Sequence, residues 1–217
     1  MRTPGTSVNF PHSAGARPCG LGPRCSGRFT VGMLSVLAAL RSLPVPLSEA
    51  RTAVPAEPGL YAWWGRFGAL PGISGPRHPT ANLQLFYVGI APNGTASKST
   101  LRSRVVGNHI RGTTGSSTLR RSLAALLSEQ QGWQSRWTTR PVLVSRDELA
   151  LSTWMGEKLR LTWAEHPEPW TVEAAVIAEL EPPLNQVENQ RHPLYGYVRE
   201  ARSRWRASAM KTRTEVR

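Results

Sequence analysis

Apolar positions along the chain follow two periods. From Gly59 to Trp64 the run GLYAWW alternates, with Leu60, Ala62 and Trp64 on one face and Tyr61 and Trp63 on the other, a strand period. Residues 83–90 form a second β-branched and aromatic run, closed by Pro92, Asn93 and Gly94. Leu159, Leu161 and Trp163 alternate with Arg160 and Thr162, which predicts a third strand. The first two strands should pair as an antiparallel hairpin with a long Gly/Pro-rich connection over 65–82. Residues 141–144 read as a short strand, and 133–140 as irregular.

Helical spacing fills most of the remainder. Ser99 or Thr100 caps a basic helix in which Leu101 and Val105 lie one turn apart. Ser117 or Thr118 caps a second, with Leu119, Leu123, Leu126 and Leu127 inward and Arg120 and Arg121 outward. Ser145-Arg146-Asp147-Glu148 reads as a capping box opening a third, which continues through Leu151, Trp154, Met155 and Lys158. A fourth runs over 172–180 and is ended by Pro182-Pro183. Leu34, Leu37 and Leu40 predict one side of a short docking helix, followed by a stiff segment holding Pro44, Pro46, Pro55 and Pro58.

These patterns divide the chain. Residues 1–32, rich in Gly, Pro, Ser and Arg, read as disordered and as lying upstream of a true start at Met33. Residues 33–54 are a lead-in helix and linker, 55–190 a domain, and 191–217 a basic, partly helical tail. The apolar run at 31–40 is too short to span a bilayer. A signal peptide is disfavoured because Arg41 follows directly and no A-x-A site is present.

Charge adds a partner class. The formal charge is +13, from 27 Lys+Arg against 14 Asp+Glu, and the excess is densest in the C-terminal tail. A polyanion is the natural partner, with nucleic acid ahead of a membrane surface; Arg-rich codon usage is the bland alternative. Eight Trp argue for a real core. Cys19 and Cys25 have neither CxxC nor His spacing for zinc, and read as incidental thiols of a reducing, cytoplasmic compartment.

Several residues stand out chemically. Arg104, about 60° from Leu101 on a helix, borders the buried face, where packing holds a guanidinium that can still reach a phosphate. Glu173 points along a partly apolar row. It is either an inward carboxylate needing a cation or metal, or a first-turn glutamate favoured by the helix dipole. Glu179 and Glu181 read as solvated. Lys98, Arg102 and Arg111 are candidate backbone contacts. Arg199, Arg202 and Arg206 at helical spacing, with Tyr197 and Trp205 among them, read either as a phosphate-tracking helix with a stacking aromatic or as a solvated terminus.

Together the pieces resemble the GIY-YIG nuclease superfamily. Gly59-Leu60-Tyr61 and Tyr87-Val88-Gly89 look like the two halves of its signature, and Leu101-Arg102-Ser103-Arg104-Val105 like its arginine-bearing helix. Glu173, twelve positions before Asn185, looks like its closing Glu and Asn. The resemblance implies a small α/β (α+β) domain, a three-stranded antiparallel sheet flanked by helices, which the three strand readings match. It departs in the 26 positions between the tyrosines and in the length between Arg104 and Glu173, which suggest a variant branch with extra helices.

The resemblance also implies a phosphodiester-hydrolysing endonuclease acting on DNA ahead of RNA, in a bacterial repair, restriction or mobile-element setting. One Mg²⁺ or Mn²⁺ ion would sit on Glu173, with Arg104 on the phosphate, Tyr61 as base and Tyr87 orienting water or phosphate. Gly59 and Gly89 are structural parts of the motif, and Asn185 reads as tying the post-helix turn to the sheet. His109 follows Arg104 by five positions, about 140° away on an unbroken helix, which reads as core or helix end unless Gly107 breaks the helix. With no separate recognition module in view, a partner or the shape of the substrate would set the target. A non-catalytic nucleic-acid binder that keeps the fold, and a protein-interaction module with incidental charge, are the alternatives.

Overall fold

The computed structural model describes residues 23–215. Numbered in chain order, its strands are β1 (Val45–Pro46), β2 (Gly59–Gly65), β3 (Gln84–Ala91), β4 (Ser135–Trp137), β5 (Pro141–Leu143) and β6 (Leu159–Glu165). Its α-helices are α1 (Pro23–Leu40), α2 (Leu47–Ala53), α3 (Thr118–Gln131), α4 (Ser145–Lys158), α5 (Glu173–Leu180) and α6 (Tyr195–Glu215). A π-helix spans Ser103–Ile110.

The main sheet is antiparallel, in the order β1-β6-β2-β3. It has four strands rather than the expected three, because the proline-bearing Val45–Pro46 pairs with the outer edge of β6. Proline is tolerated there since an edge strand can spare one donor. Strand β2 lies in the middle and every residue of it is buried. A strand apolar on both faces needs a layer on each side. Tyr61 and Trp63 enter one core with Leu101, Val105, Leu119, Leu123 and Leu151. Leu60, Ala62 and Trp64 enter a second, with Leu37, Leu40, Val176 and Ile177.

Several local expectations are corrected. Helix α1 starts at Pro23, inside the segment expected to be irregular; residues 1–22 of that segment lie outside the described residues. Proline is well suited to a first helical turn, and a helix whose C-terminal end is docked propagates backwards cheaply. Its buried row is Val36, Leu37 and Leu40, one step round from the expected one, so Leu34 is 60% exposed. The proline-rich linker contains α2. Residues 133–140, expected to be irregular, include β4, which pairs with β5.

Arg120, expected to point outward, is fully buried. The capping box does not form: the N-cap of α4 is Val144, with no side-chain cap bond, and the Glu148 carboxylate turns to Arg120 and Thr114 instead. Helix α6 buries Val198, Ala201, Trp205 and Ala209 and packs on α3 and β4. Trp205 is therefore a core residue and not a stacking surface. The long β2–β3 connection contributes Leu70 and Ile73 to the first core, and the Tyr197 hydroxyl donates to the Pro71 carbonyl at 3.2 Å. Among the described residues no helix is long and apolar enough to cross a membrane.

Candidate active site

The cleft is built at the junction of β2 with edge strand β3. Tyr61 stands opposite Gly89. A Cβ on Gly89 would overlap the Tyr61 hydroxyl, so glycine there makes room for the phenol. A Cβ on Gly59 would collide with the Ala164 carbonyl, so that glycine lets β6 approach. Tyr87, diagonal to Tyr61 across the pair, shares its face, with ring centroids 6.4 Å apart.

Arg104 and His109 come from the π-helix. Its turns close with i→i+5 bonds, the last being Arg111 N–H to the Val106 carbonyl at 2.9 Å. A turn that closes over five residues brings position 109 back towards the side of position 104. His109 therefore does reach the site, a correction to the position expected on an unbroken α-helix. It is fully buried, with Nε2 2.8 Å from the Tyr61 hydroxyl and Nδ1 2.6 Å from Ser117 Oγ. Ser117, the N-cap of α3, also accepts from Arg120 N–H at 3.1 Å. The His109 pKa is lowered to about 3, first by burial and then by the Arg104 and Arg120 charges. The imidazole is therefore neutral near pH 7.

The Arg104 guanidinium is half-buried and reaches the Tyr61 phenol. Burial pulls its pKa down, but the two tyrosines outweigh burial and the net shift is upward. Burial raises the Tyr61 pKa, Tyr87 adds to the rise and Arg104 opposes it. Burial likewise raises Tyr87, again against Arg104.

Glu173 opens α5. That helix packs Val176, Ile177 and Leu180 into the core on the second face of the sheet, yet Glu173 lines the same cleft as Tyr61, Tyr87 and Arg104. The cleft measures about 620 Å³ and also receives Asn108, Glu188 and Arg202. The Glu173 pKa is raised by burial and then by Glu188. Glu188, missed from the sequence, holds a left-handed backbone conformation at φ 60°, which non-glycine residues adopt rarely. Two carboxylates pressing on one cleft fit an oxygen-ligated divalent cation. Among the described residues no cluster of three or more His, Cys, Asp or Glu is present, so water and phosphate oxygens would complete such a shell.

Asn185 lines the cleft but spends its amide on β3: Oδ1 accepts from Val88 N–H at 3.0 Å and Nδ2 donates to the Val88 carbonyl at 2.9 Å. Arg102 turns away, donating from Nε to Val54 O at 2.9 Å and from Nη2 to Thr52 O at 3.2 Å, so it fastens α2 instead of facing the cleft. Lys98, Arg111 and Arg199 are exposed and outside the cleft wall. Arg202 is in the wall, and Arg206 lies over the Trp137 ring at 5.3 Å.

A family model described as GIY-YIG catalytic domain matches residues 59–204, which takes in every residue of the cleft and the N-terminal part of α6. No curated protein and no solved structure matches the chain.

Proposed function

The chain belongs to the GIY-YIG catalytic domain family, a nuclease family, and from that premise we propose that it is a divalent-metal-dependent endonuclease that hydrolyses phosphodiester bonds in DNA. One observation carries the reading: Tyr61, Tyr87, Arg104 and Glu173, spread over more than a hundred residues, line a single cleft.

Each side chain has a role in this reading. Arg104 donates to the non-bridging oxygens of the scissile phosphate and stays charged as negative charge develops there. Tyr61 receives the proton of the attacking water. A free phenol is a poor base at neutral pH, and burial makes the phenolate costlier still. Arg104 opposes that cost, and a neutral His109 can donate to the phenolate oxygen. The neutral imidazole carries one ring hydrogen, and since Ser117 Oγ already accepts from the Arg120 backbone and can turn its own hydrogen to Nδ1, we assign that ring hydrogen to Nε2. Arg120 N–H then donates to Ser117 Oγ, Ser117 O–H donates to Nδ1, and Nε2–H donates to the Tyr61 oxygen. Tyr87 orients water or phosphate through its hydroxyl.

Glu173, with Glu188 near it, would hold one Mg²⁺ or Mn²⁺ ion. When bound, such an ion polarises the phosphate and stabilises the leaving oxygen.

The test is nicking of supercoiled plasmid with Mg²⁺ or Mn²⁺, extended to linear, branched and single-stranded DNA and to RNA. Glu173→Ala and Arg104→Ala should each lower the rate at least ~10²-fold, the scale of losing one charge-stabilising group. Binding that survives both changes, with no cleavage by wild type at any metal tried, would make the chain a non-catalytic binder.

A further inference from the structure

The cleft does not end at Arg104. Arg202, on α6, forms part of its wall and also of a second cavity of about 460 Å³. That cavity is lined by Arg121 from α3, Arg140 from the β4–β5 turn, and Arg202 and Arg206 from α6, with no carboxylate among its walls. Among the described residues none of these four arginines makes a salt bridge.

Three of the four are held in place by neutral partners. Arg121 donates to the carbonyls of Thr114 and Gly115 at 2.9 and 3.2 Å and to Thr118 Oγ1 at 3.1 Å. Arg140 donates to the same Gly115 carbonyl at 3.3 Å. Arg206 rests on Trp137. Every one of these contacts positions a guanidinium without neutralising it. The crowding is felt: burial lowers the Arg121 pKa, and Arg140, Arg202 and Arg104 lower it further. Side chains that could swing apart into water are instead pinned beside one another. Like charges ordered in this way cost less to leave in place only when a polyanion joins them.

We propose that Arg121, Arg140, Arg202 and Arg206 form a track for the phosphates of the substrate strand, leading it out of the cleft on one side of the bond to be cut. The proposal rests on the nuclease reading of the cleft, since it takes the scissile phosphate to sit at Arg104. It commits to a phosphodiester strand over a single small anion because the two cavities share Arg202, which joins Arg104 in the cleft to the arginines of the second cavity. It also separates this side of α6 from Arg199, which belongs to neither cavity.

The experiment is binding of a short fluorescein-labelled DNA duplex, followed by anisotropy without divalent metal over a range of salt concentrations. The full chain is compared with Arg140→Gln/Arg206→Gln and with Arg51→Gln/Arg66→Gln. The second pair removes the same charge from exposed positions outside both cavities. Each phosphate contact contributes a slope of about −0.9 to log K against log salt on duplex DNA. The track pair should therefore flatten the slope by about 1.8, and the control pair should flatten it clearly less. Equal slopes for wild type and the track pair, or an equal change in the control pair, would overturn the track in favour of diffuse attraction. Failure of the nuclease reading shows elsewhere. A wild type that nicks no plasmid with Mg²⁺ or Mn²⁺, yet keeps the slope difference, would retain the track and lose the reaction.

Discussion

His109 illustrates how a single buried side chain ties stability to pH. In an unfolded chain its pKa is near ~6.5, whereas in the fold it is lowered to about 3, chiefly by burial. Between these values the unfolded chain binds a proton that the folded chain refuses, so stability rises with pH across this window and falls as pH drops through it. Below the folded value both states are protonated and the dependence ends. The contribution to the slope approaches about 1.4 kcal/mol per pH unit. His109→Gln retains a polar atom toward Tyr61 but cannot titrate. Urea unfolding at pH 7, 6, 5 and 4 should show wild type losing stability more steeply than His109→Gln, by roughly that amount per unit once the pH is below about 6. Parallel curves would mean that the imidazole accepts a proton in place, and the neutral-donor role assigned to it would fall.

At the scale of elements, the π-helix is the departure with most consequence. It keeps Arg104 at the cleft and His109 against Tyr61 although five positions separate them. Gly107, midway along it, is exposed and faces open space. Deleting Gly107 would leave four positions between the two side chains, the spacing that an ordinary α-helix places on one face. The deletion should fold, shift amide exchange towards an α pattern over this segment, and retain cleavage within about tenfold if α pitch re-forms the pairing. Loss of cleavage beyond ~10²-fold in a folded deletion variant would show that the wider turn shapes the cleft itself.

The same helix shows where sequence legibility stops. Strands β2, β3 and β6 are legible because alternation and β-branched content are local signals. The helix containing Arg104 is legible as a helix from Leu101 and Val105. Its wider turn is not, since every local preference points to α pitch and the fifth residue is accommodated by Tyr61 and Ser117, which lie far away or past a loop. Arg120 is misread for a related reason. A helical wheel sets arginine outside, and the acid that draws it inward is Glu148, 28 positions later. The capping box fails because that same carboxylate cannot serve two places. Co-location of Tyr61, Tyr87, Arg104 and Glu173 is legible through the family motifs, whereas Glu188 enters the cleft through the irregular segment after α5, and the arginine cavity arises only once α6 lies on α3 and the β4–β5 hairpin.

Across the whole molecule, the cleft depends on a buried tie well behind it. Arg120 donates to the His109 carbonyl at 3.2 Å, to Glu148 Oε2 and the Glu148 carbonyl at 2.9 Å each, and to Ser152 Oγ at 3.0 Å. Glu148 Oε1 in turn accepts from Thr114 N–H at 2.7 Å and from the Thr114 hydroxyl. One ion pair thus joins the π-helix, the loop before α3, α3 and α4. Burial lowers the Arg120 pKa and Glu148 opposes that shift, so the carboxylate is what compensates the buried charge. Taking away one partner leaves the other charge buried and uncompensated, at about 3–5 kcal/mol. Arg120→Met and Glu148→Gln should each lower stability on that scale and also slow cleavage, because the His109 carbonyl loses its guanidinium donor or that donor loses its anchor. The double variant strands neither charge, so its loss should be smaller than the two single losses added together, by about 1–3 kcal/mol. Chemical denaturation of all four proteins measures that coupling. Additive losses would mean that the two side chains act separately, and that the alignment of His109 with Tyr61 is held by the sheet alone.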